Sequence, residues 1–181
     1  MPIPTPRLDL HDLSLDLMRA VLARDWGRAA ALAPYPVDEA SFAGSDHVLG
    51  LRVAQLEQDA TEQPWLYRAA VLRATGRVVG RAGFHARPDA TGTVEIGYEV
   101  LAPYRRQGLA AEMATGLMRW GAEQGATACL ASIRPDNEPS LALTRRLGFV
   151  RIGEQLDDID GLEWVFRLPL NAPLPSYDDR R

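Results

Sequence analysis

Lysine is absent from this 181-residue chain. All 20 basic residues are arginine, set against 24 aspartates and glutamates for a formal net charge of −4. That balance excludes a nucleic-acid binder driven by bulk attraction to phosphate. Cysteine occurs once, so an internal disulfide has no second partner; the apolar setting Ala128-Cys129-Leu130-Ala131 reads as a buried, reduced, structural thiol. The three histidines, His11, His47 and His85, have no ligand-like spacing and no cysteine beside them, which argues against a metal site. His85 ends a strand, and a structural role is the preferred reading for it. No apolar run approaches the roughly 18 residues that span a membrane, and the proline-rich start lacks a signal-peptide core. No membrane partner and a cytoplasmic location are therefore expected. Tryptophans are few, and Trp26, Trp65, Trp120 and Trp164 read as core residues rather than a ligand cage.

What is present suits one globular domain. Hydrophobic content of 46% and charged content of 24% are ordinary for a folded domain. The domain is expected over 1–168, with a frayed tail over 169–181 that carries three prolines.

One stretch organises the rest. Val94, Ile96, Tyr98 and Val100 alternate with Glu95, Gly97 and Glu99, the period of a half-buried strand. From Leu109 the period changes, with Leu109, Met113 and Leu117 at helical spacing. Between them lies Arg105-Arg106-Gln107-Gly108, a basic loop that opens directly into the helix. A helix N-terminus presents unpaired N–H groups and the positive end of the dipole, and Gly108 and Ala110 let an anion approach the backbone.

Around that stretch the chain reads as α+β. An extended arm (1–6), a short strand from Arg7 to His11 and a helix capped by Ser14 come first. An Ala-rich helical turn follows within 25–37, then a helix capped by Ser45 or Asp46 and running to about Gln58. Trp65–Arg73 and Val78–His85 read as a hairpin around Thr75-Gly76, and Ala128–Ile133 as a buried strand parallel to the opening one. A turn with Asn137 and Ser140 opens a helix to about Leu147. Phe149–Gln155 and Leu162–Leu168 close the sheet around an acidic loop with Asp157, Asp158 and Asp160.

The basic loop is not a P-loop, because it lacks the Gly-Lys-Ser/Thr ending, nor a dinucleotide fingerprint. Arg105-x-x-Gly108-x-Ala110 resembles the acetyl-CoA motif of the GNAT N-acetyltransferase superfamily, in the branch that includes ribosomal-protein N-terminal acetyltransferases. Val94-Glu95-Ile96-Gly97-Tyr98 and Glu112 resemble that branch upstream and one turn into the helix. Asn137-x-x-Ser140 followed by Leu147-Gly148-Phe149 resembles its second cofactor segment. The resemblance covers roughly Gly83 to Val150.

It implies a mixed, mostly antiparallel sheet with one parallel strand pair splayed around acetyl-CoA and helices on both faces. It implies an acetyl-CoA-dependent N-acetyltransferase that transfers the acetyl group to a primary amine, a peptide N-terminus or a small molecule. Cofactor contacts carry over to Val100, whose N–H would face the thioester carbonyl; to the pyrophosphate loop Arg105, Arg106, Gln107, Gly108, Leu109 and Ala110; and to Asn137. Ser140 would donate to the departing thiolate, since the tyrosine common in the family is Thr144 here. Glu95 or Glu99, on one face of the strand, would take the amine's proton, with Glu95 preferred. Homodimerisation also goes with the resemblance. The rival reading is a GNAT-like sensor or scaffold that holds acyl-CoA without turnover.

Overall fold

A computed structural model describes residues 1–159 and 161–171. Among these residues eight strands make one sheet: β1 (Ile3–Pro4), β2 (Leu8–Asp12), β3 (Arg68–Leu72), β4 (Arg77–Phe84), β5 (Thr93–Val100), β6 (Ala128–Ile133), β7 (Val150–Asp157) and β8 (Gly161–Pro169). They lie in the order β1-β2-β3-β4-β5-β6-β8-β7. Only β5 and β6 run parallel; the other neighbours are antiparallel. The helices are α1 (Leu15–Leu22), α2 (Trp26–Leu32), α3 (Asp46–Gln58), α4 (Leu109–Glu123) and α5 (Glu138–Arg146). The expected α+β class, with one parallel pair and helices on both faces, is what the chain adopts.

The strand alternation sets two cores. Val94 and Ile96 of β5 pack with Met113 and Leu117 of α4 and Leu141 of α5. On the other face Leu17, Met18 and Val21 of α1 and Leu49 and Leu56 of α3 pack with Ala69, Val71 and Val78. Each of these side chains is almost fully removed from water, which is the dominant favourable term holding the layers together. Odd-numbered positions of β5, namely Glu95, Gly97 and Glu99, therefore face the α1–α3 side.

Several local expectations are corrected. The arm at the start is paired, with Ile3 opposite Leu10 and Pro4 opposite Asp9; an edge strand tolerates a proline that cannot donate. The first strand of the hairpin starts at Arg68, not Trp65, because Ala60–Trp65 is a 3-10 turn with Pro64 inside, begun by the Asp59 side chain accepting from the Thr61 N–H. Ser45 stands at the α3 N-cap, but its hydroxyl donates to the Phe42 carbonyl at 2.6 Å and caps nothing. Ser14 does cap α1, accepting from the Leu17 N–H. At the far end β8 continues to Pro169, and buried Leu170 donates its N–H to the Thr127 carbonyl. Residues 172–181 of the expected tail, and Asp160 of the acidic loop, lie outside the described residues.

One departure from regularity positions the site. β5 and β6 pair only from Thr93 opposite Ala128 to Glu95 opposite Leu130, and then part. β4 stays paired with β5 through Val100.

Candidate active site

The gap between β5 and β6 is lined by backbone donors. His85 N–H bonds to the Glu95 carbonyl and Leu101 N–H to the Val79 carbonyl, so the odd positions of β5 turn their backbone groups toward β4. Antiparallel alternation then aims the N–H groups of Tyr98 and Val100 at the other side, where β6 has already diverged. The register thus turns the Val100 N–H toward the gap. Its carbonyl accepts from Arg105 Nε at 3.0 Å, which folds that guanidinium back along the strand end.

Below the gap the chain turns through Ala102–Tyr104 into α4. Arg106 has φ +62 and Gly108 φ +76, and Gly108 stands at the N-cap without a side-chain cap. A left-handed arginine is an unusual backbone state. It curls the loop so that Gln107, Gly108, Leu109 and Ala110 bring consecutive backbone N–H groups to the start of a 15-residue helix. Such a seat of backbone donors suits an anion.

A residue that the sequence did not single out holds the seat in place. Arg7 donates from Nη1 to the Gln107 carbonyl at 3.0 Å and from Nε to Glu112 at 2.7 Å. Glu112, buried in the first turn of α4, also accepts from the Arg7 N–H and from the Thr5 hydroxyl, each at 2.6 Å. Burial alone would raise the Glu112 pKa; the bonds from Thr5 and Arg7 outweigh it and hold the carboxyl below its ordinary 4.5. Nothing local in the sequence links residues 7 and 112.

On the α4–α5 side of β5 sit the hydroxyls. Asn137 caps α5, its side-chain oxygen accepting from the Ser140 N–H at 3.2 Å, which leaves its amide N–H₂ for other partners. Ser140 is in the first turn, and Thr144 Oγ1 donates to the Ser140 carbonyl at 2.8 Å. Tyr98 reaches this cluster from β5. Burial raises its pKa, and the nearby Ser140 and Thr144 side chains partly offset that. Tyr98 was legible only as a strand residue on the core face.

On the opposite side, a cavity of about 160 Å³ is lined by Arg52, Tyr67, Gly83, His85, Gly97 and Glu99, among others. Gly83 and Gly97 face each other across β4 and β5. A Cβ at Gly83 would meet the Leu66 carbonyl oxygen at 2.5 Å, so only glycine fits there; one at Gly97 would lie 3.1 Å from His85 Nε2. Glu95 and Glu99 flank this bare floor and differ in their partners. Glu99 is bonded to Arg81 Nη2 at 2.5 Å, and that fully buried guanidinium also donates to the Ser41 and Ala43 carbonyls. Glu95 instead lies 3.8 Å from His85 Nδ1. Burial lowers the His85 pKa from 6.5, against an upward pull from Glu95, so the imidazole is held neutral. His85, read as structural, is therefore brought to the site.

Of the remaining sequence expectations, Cys129 is buried, and burial pushes its thiol pKa far up. Trp65 and Trp120 pack on Phe84, with the two indoles 4.8 Å apart. Among the described residues no group of three or more His, Cys, Asp or Glu is placed to hold a metal ion, and no helix is long and apolar enough to cross a membrane.

With the geometry established, comparison with known proteins is informative. The family model described as an acetyltransferase (GNAT) domain matches residues 6–150. The uncharacterized N-acetyltransferase YoaA of Bacillus subtilis (strain 168) is 33% identical over 82 residues, 45% of this chain and 46% of that protein. The chain thus spans about half the length of the curated relatives it matches. Among solved structures, a GNAT-family acetyltransferase from Bacillus anthracis superposes with a TM-score of 0.65 at 19% identity, over 95% of this chain and 100% of that one. The ribosomal alpha-N-protein acetyltransferase RimL, solved in complex with coenzyme A, superposes with a TM-score of 0.64 at 17% identity, over 96% and 100%.

Proposed function

The chain belongs to the GNAT acetyltransferase family, and on that premise we propose that it is an acetyl-CoA-dependent N-acetyltransferase acting on a primary amine by direct attack. The observation that carries the proposal is β5, which turns the N–H groups of Tyr98 and Val100 into the gap while its other face holds Glu95 under His85. Acetyl-CoA, when bound, supplies the acetyl group and a thiol as leaving group.

The residues then divide the work. Backbone N–H groups of Arg106, Gln107, Gly108, Leu109 and Ala110, with the charges of Arg105 and Arg106, suit a pyrophosphate. Val100 N–H is a fixed donor for an oxygen on which negative charge develops. Asn137 has its amide donors to offer the cofactor arm. An ammonium has no lone pair, so the acceptor must first lose a proton. Neutral His85 is suited to take it, with Glu95 behind to stabilise the imidazolium. Glu99 is already committed to Arg81. Ser140, adjoining the Tyr98 phenol, is the proton donor for the departing sulfur. With thiol pKa values near 8.5, that donation assists rather than decides.

The test is to incubate the protein with acetyl-CoA and a panel of small amines and peptides and to follow free thiol. Amine-dependent thiol release is expected. Absence of CoA binding by calorimetry would overturn the reading.

A further inference from the structure

We infer that the cavity beside Glu95 selects amines that carry a carboxylate a few bonds from the nitrogen, and that Arg52 reads that carboxylate. The amine half of this inference rests on the acetyl-transfer reading; the carboxylate half rests on the surroundings of Arg52.

Arg52 reaches the cavity from α3. Its Nη1 donates to the His85 carbonyl and to Gln55 Oε1, each at 2.9 Å, and Gln55 Nε2 donates to the same carbonyl at 3.0 Å. The guanidinium is thereby fixed beside the histidine. Its Nε is buried and without a hydrogen-bond partner. Arg68 and Arg81 also have an unpartnered Nε, but each has a carboxylate, Asp12 at 3.9 Å and Glu99 at 2.5 Å. Among the described residues no carboxylate lies within 4.0 Å of Arg52. The two acids whose charge acts on it are turned elsewhere, Glu62 to Arg87 and Glu95 to His85.

A guanidinium keeps its charge even when it loses water. A tethered, half-buried cation with a buried, unpartnered Nε and no carboxylate in contact, lining a cavity, suits a ligand anion. His85 lines the same cavity, with Glu95 3.8 Å behind its Nδ1, so the lining offers a group for an amine nitrogen next to a cation for an acid. The volume of about 160 Å³ is well below that of sites for larger ligands, and it admits a group of a few heavy atoms. Two sources share this chemistry: the α-carboxylate of a free amino acid, and the acidic side chain of a peptide's first residue.

The experiment compares matched acids and amides as acceptors: alanine with alaninamide, and the tripeptide Asp-Ala-Ala with Asn-Ala-Ala. One pair should favour its acid in kcat/KM by roughly tenfold or more, and which pair does so identifies the source. Arg52→Gln should bring that ratio close to one, and Arg52→Lys, which keeps the charge, should restore part of it. Calorimetry of the acetylated acid and amide products on CoA-saturated protein gives a second readout, with the same loss of preference expected in Arg52→Gln. Equal use of acid and amide in both pairs, or a ratio untouched by Arg52→Gln, overturns the inference while leaving acetyl transfer standing. Arg52-dependent binding of the acetylated acid by a protein that turns over no amine sustains the inference and overturns the transfer reading. If Arg52→Gln does not fold, Arg52→Lys against wild type carries the comparison.

Discussion

Glu95 and His85 sit opposite each other at the end of the β4–β5 pair, joined by a backbone hydrogen bond of 2.8 Å and a side-chain approach of 3.8 Å. The other charges acting on the imidazole are Arg52 from α3 and Asp157 from β7. Burial lowers the His85 pKa below 6.5, so the acid limb of kcat should lie below that value, activity falling as protons are added. Glu95 pulls the pKa upward; Glu95→Gln should therefore move the limb to lower pH as well as reduce kcat by about a hundredfold. A pH–rate profile of Glu95→Gln and His85→Gln checks both. An unmoved limb in Glu95→Gln would remove His85 from the proton path.

Ser140 and Tyr98 present neighbouring hydroxyls on the other side of the strand. Ser140→Ala is expected to lower kcat about tenfold, the range of a modest acid contribution, with CoA affinity within about twofold of wild type. Ser140→Ala combined with Tyr98→Phe should lose more than either alone. Single-turnover thiol release set beside CoA calorimetry separates proton donation from positioning. Weakened CoA binding at unchanged kcat would make the two hydroxyls positioning groups only.

Gly97→Ala puts a methyl 3.1 Å from His85 Nε2 without requiring an unusual φ. The imidazole must give way while the fold does not. We expect kcat/KM to fall about tenfold, a shift of about 1.4 kcal/mol, with Tm essentially unchanged. A large drop in Tm would show that the floor of the cavity is a packing feature instead.

Arg7 and Glu112 predict a linkage between the first strands and the anion seat. Glu112→Ala strands the Arg7 and Thr5 donors and should destabilise by about 2–3 kcal/mol, at the low end for a buried pair because Arg7 is 34% exposed. The folded pKa of Glu112 is depressed. Its contribution is therefore present above 4.5 and lost as pH falls through the lower folded value, and Glu112→Gln should flatten that part of the stability–pH curve. Arg7→Ala should weaken CoA binding although Arg7 precedes the loop by a hundred residues in sequence. Urea melts and CoA titrations of the two variants measure these effects.

Local pattern made half of this protein legible. The alternation in Val94–Val100, the helix from Leu109, the strand Ala128–Ile133, the cap at Ser14 and the turn that opens α5 all follow from period, turn chemistry and capping within a few residues. What stayed hidden depends on contacts between distant segments. Arg7 with Glu112, Arg81 with Glu99 and Arg52 with the His85 carbonyl are each charged residues that look like solvated surface until another element covers them. His85 was read as structural for the same reason, since its meaning comes from Glu95 and Gly97 on the next strand. The start of β3 was missed because a proline-bearing 3-10 turn carries the same apolar residues as a strand.

The pleat of β5 has a last consequence. On the proposed mechanism, odd positions from Glu95 to Val100 serve the amine and even positions the thioester, so the division of chemistry depends on numerical parity. Deleting Gly97 would turn the Tyr98 phenol to the α1–α3 face and the Val100 N–H toward β4 at a single stroke. On that mechanism a substitution in this strand touches one half of the chemistry, whereas a change in length disturbs both.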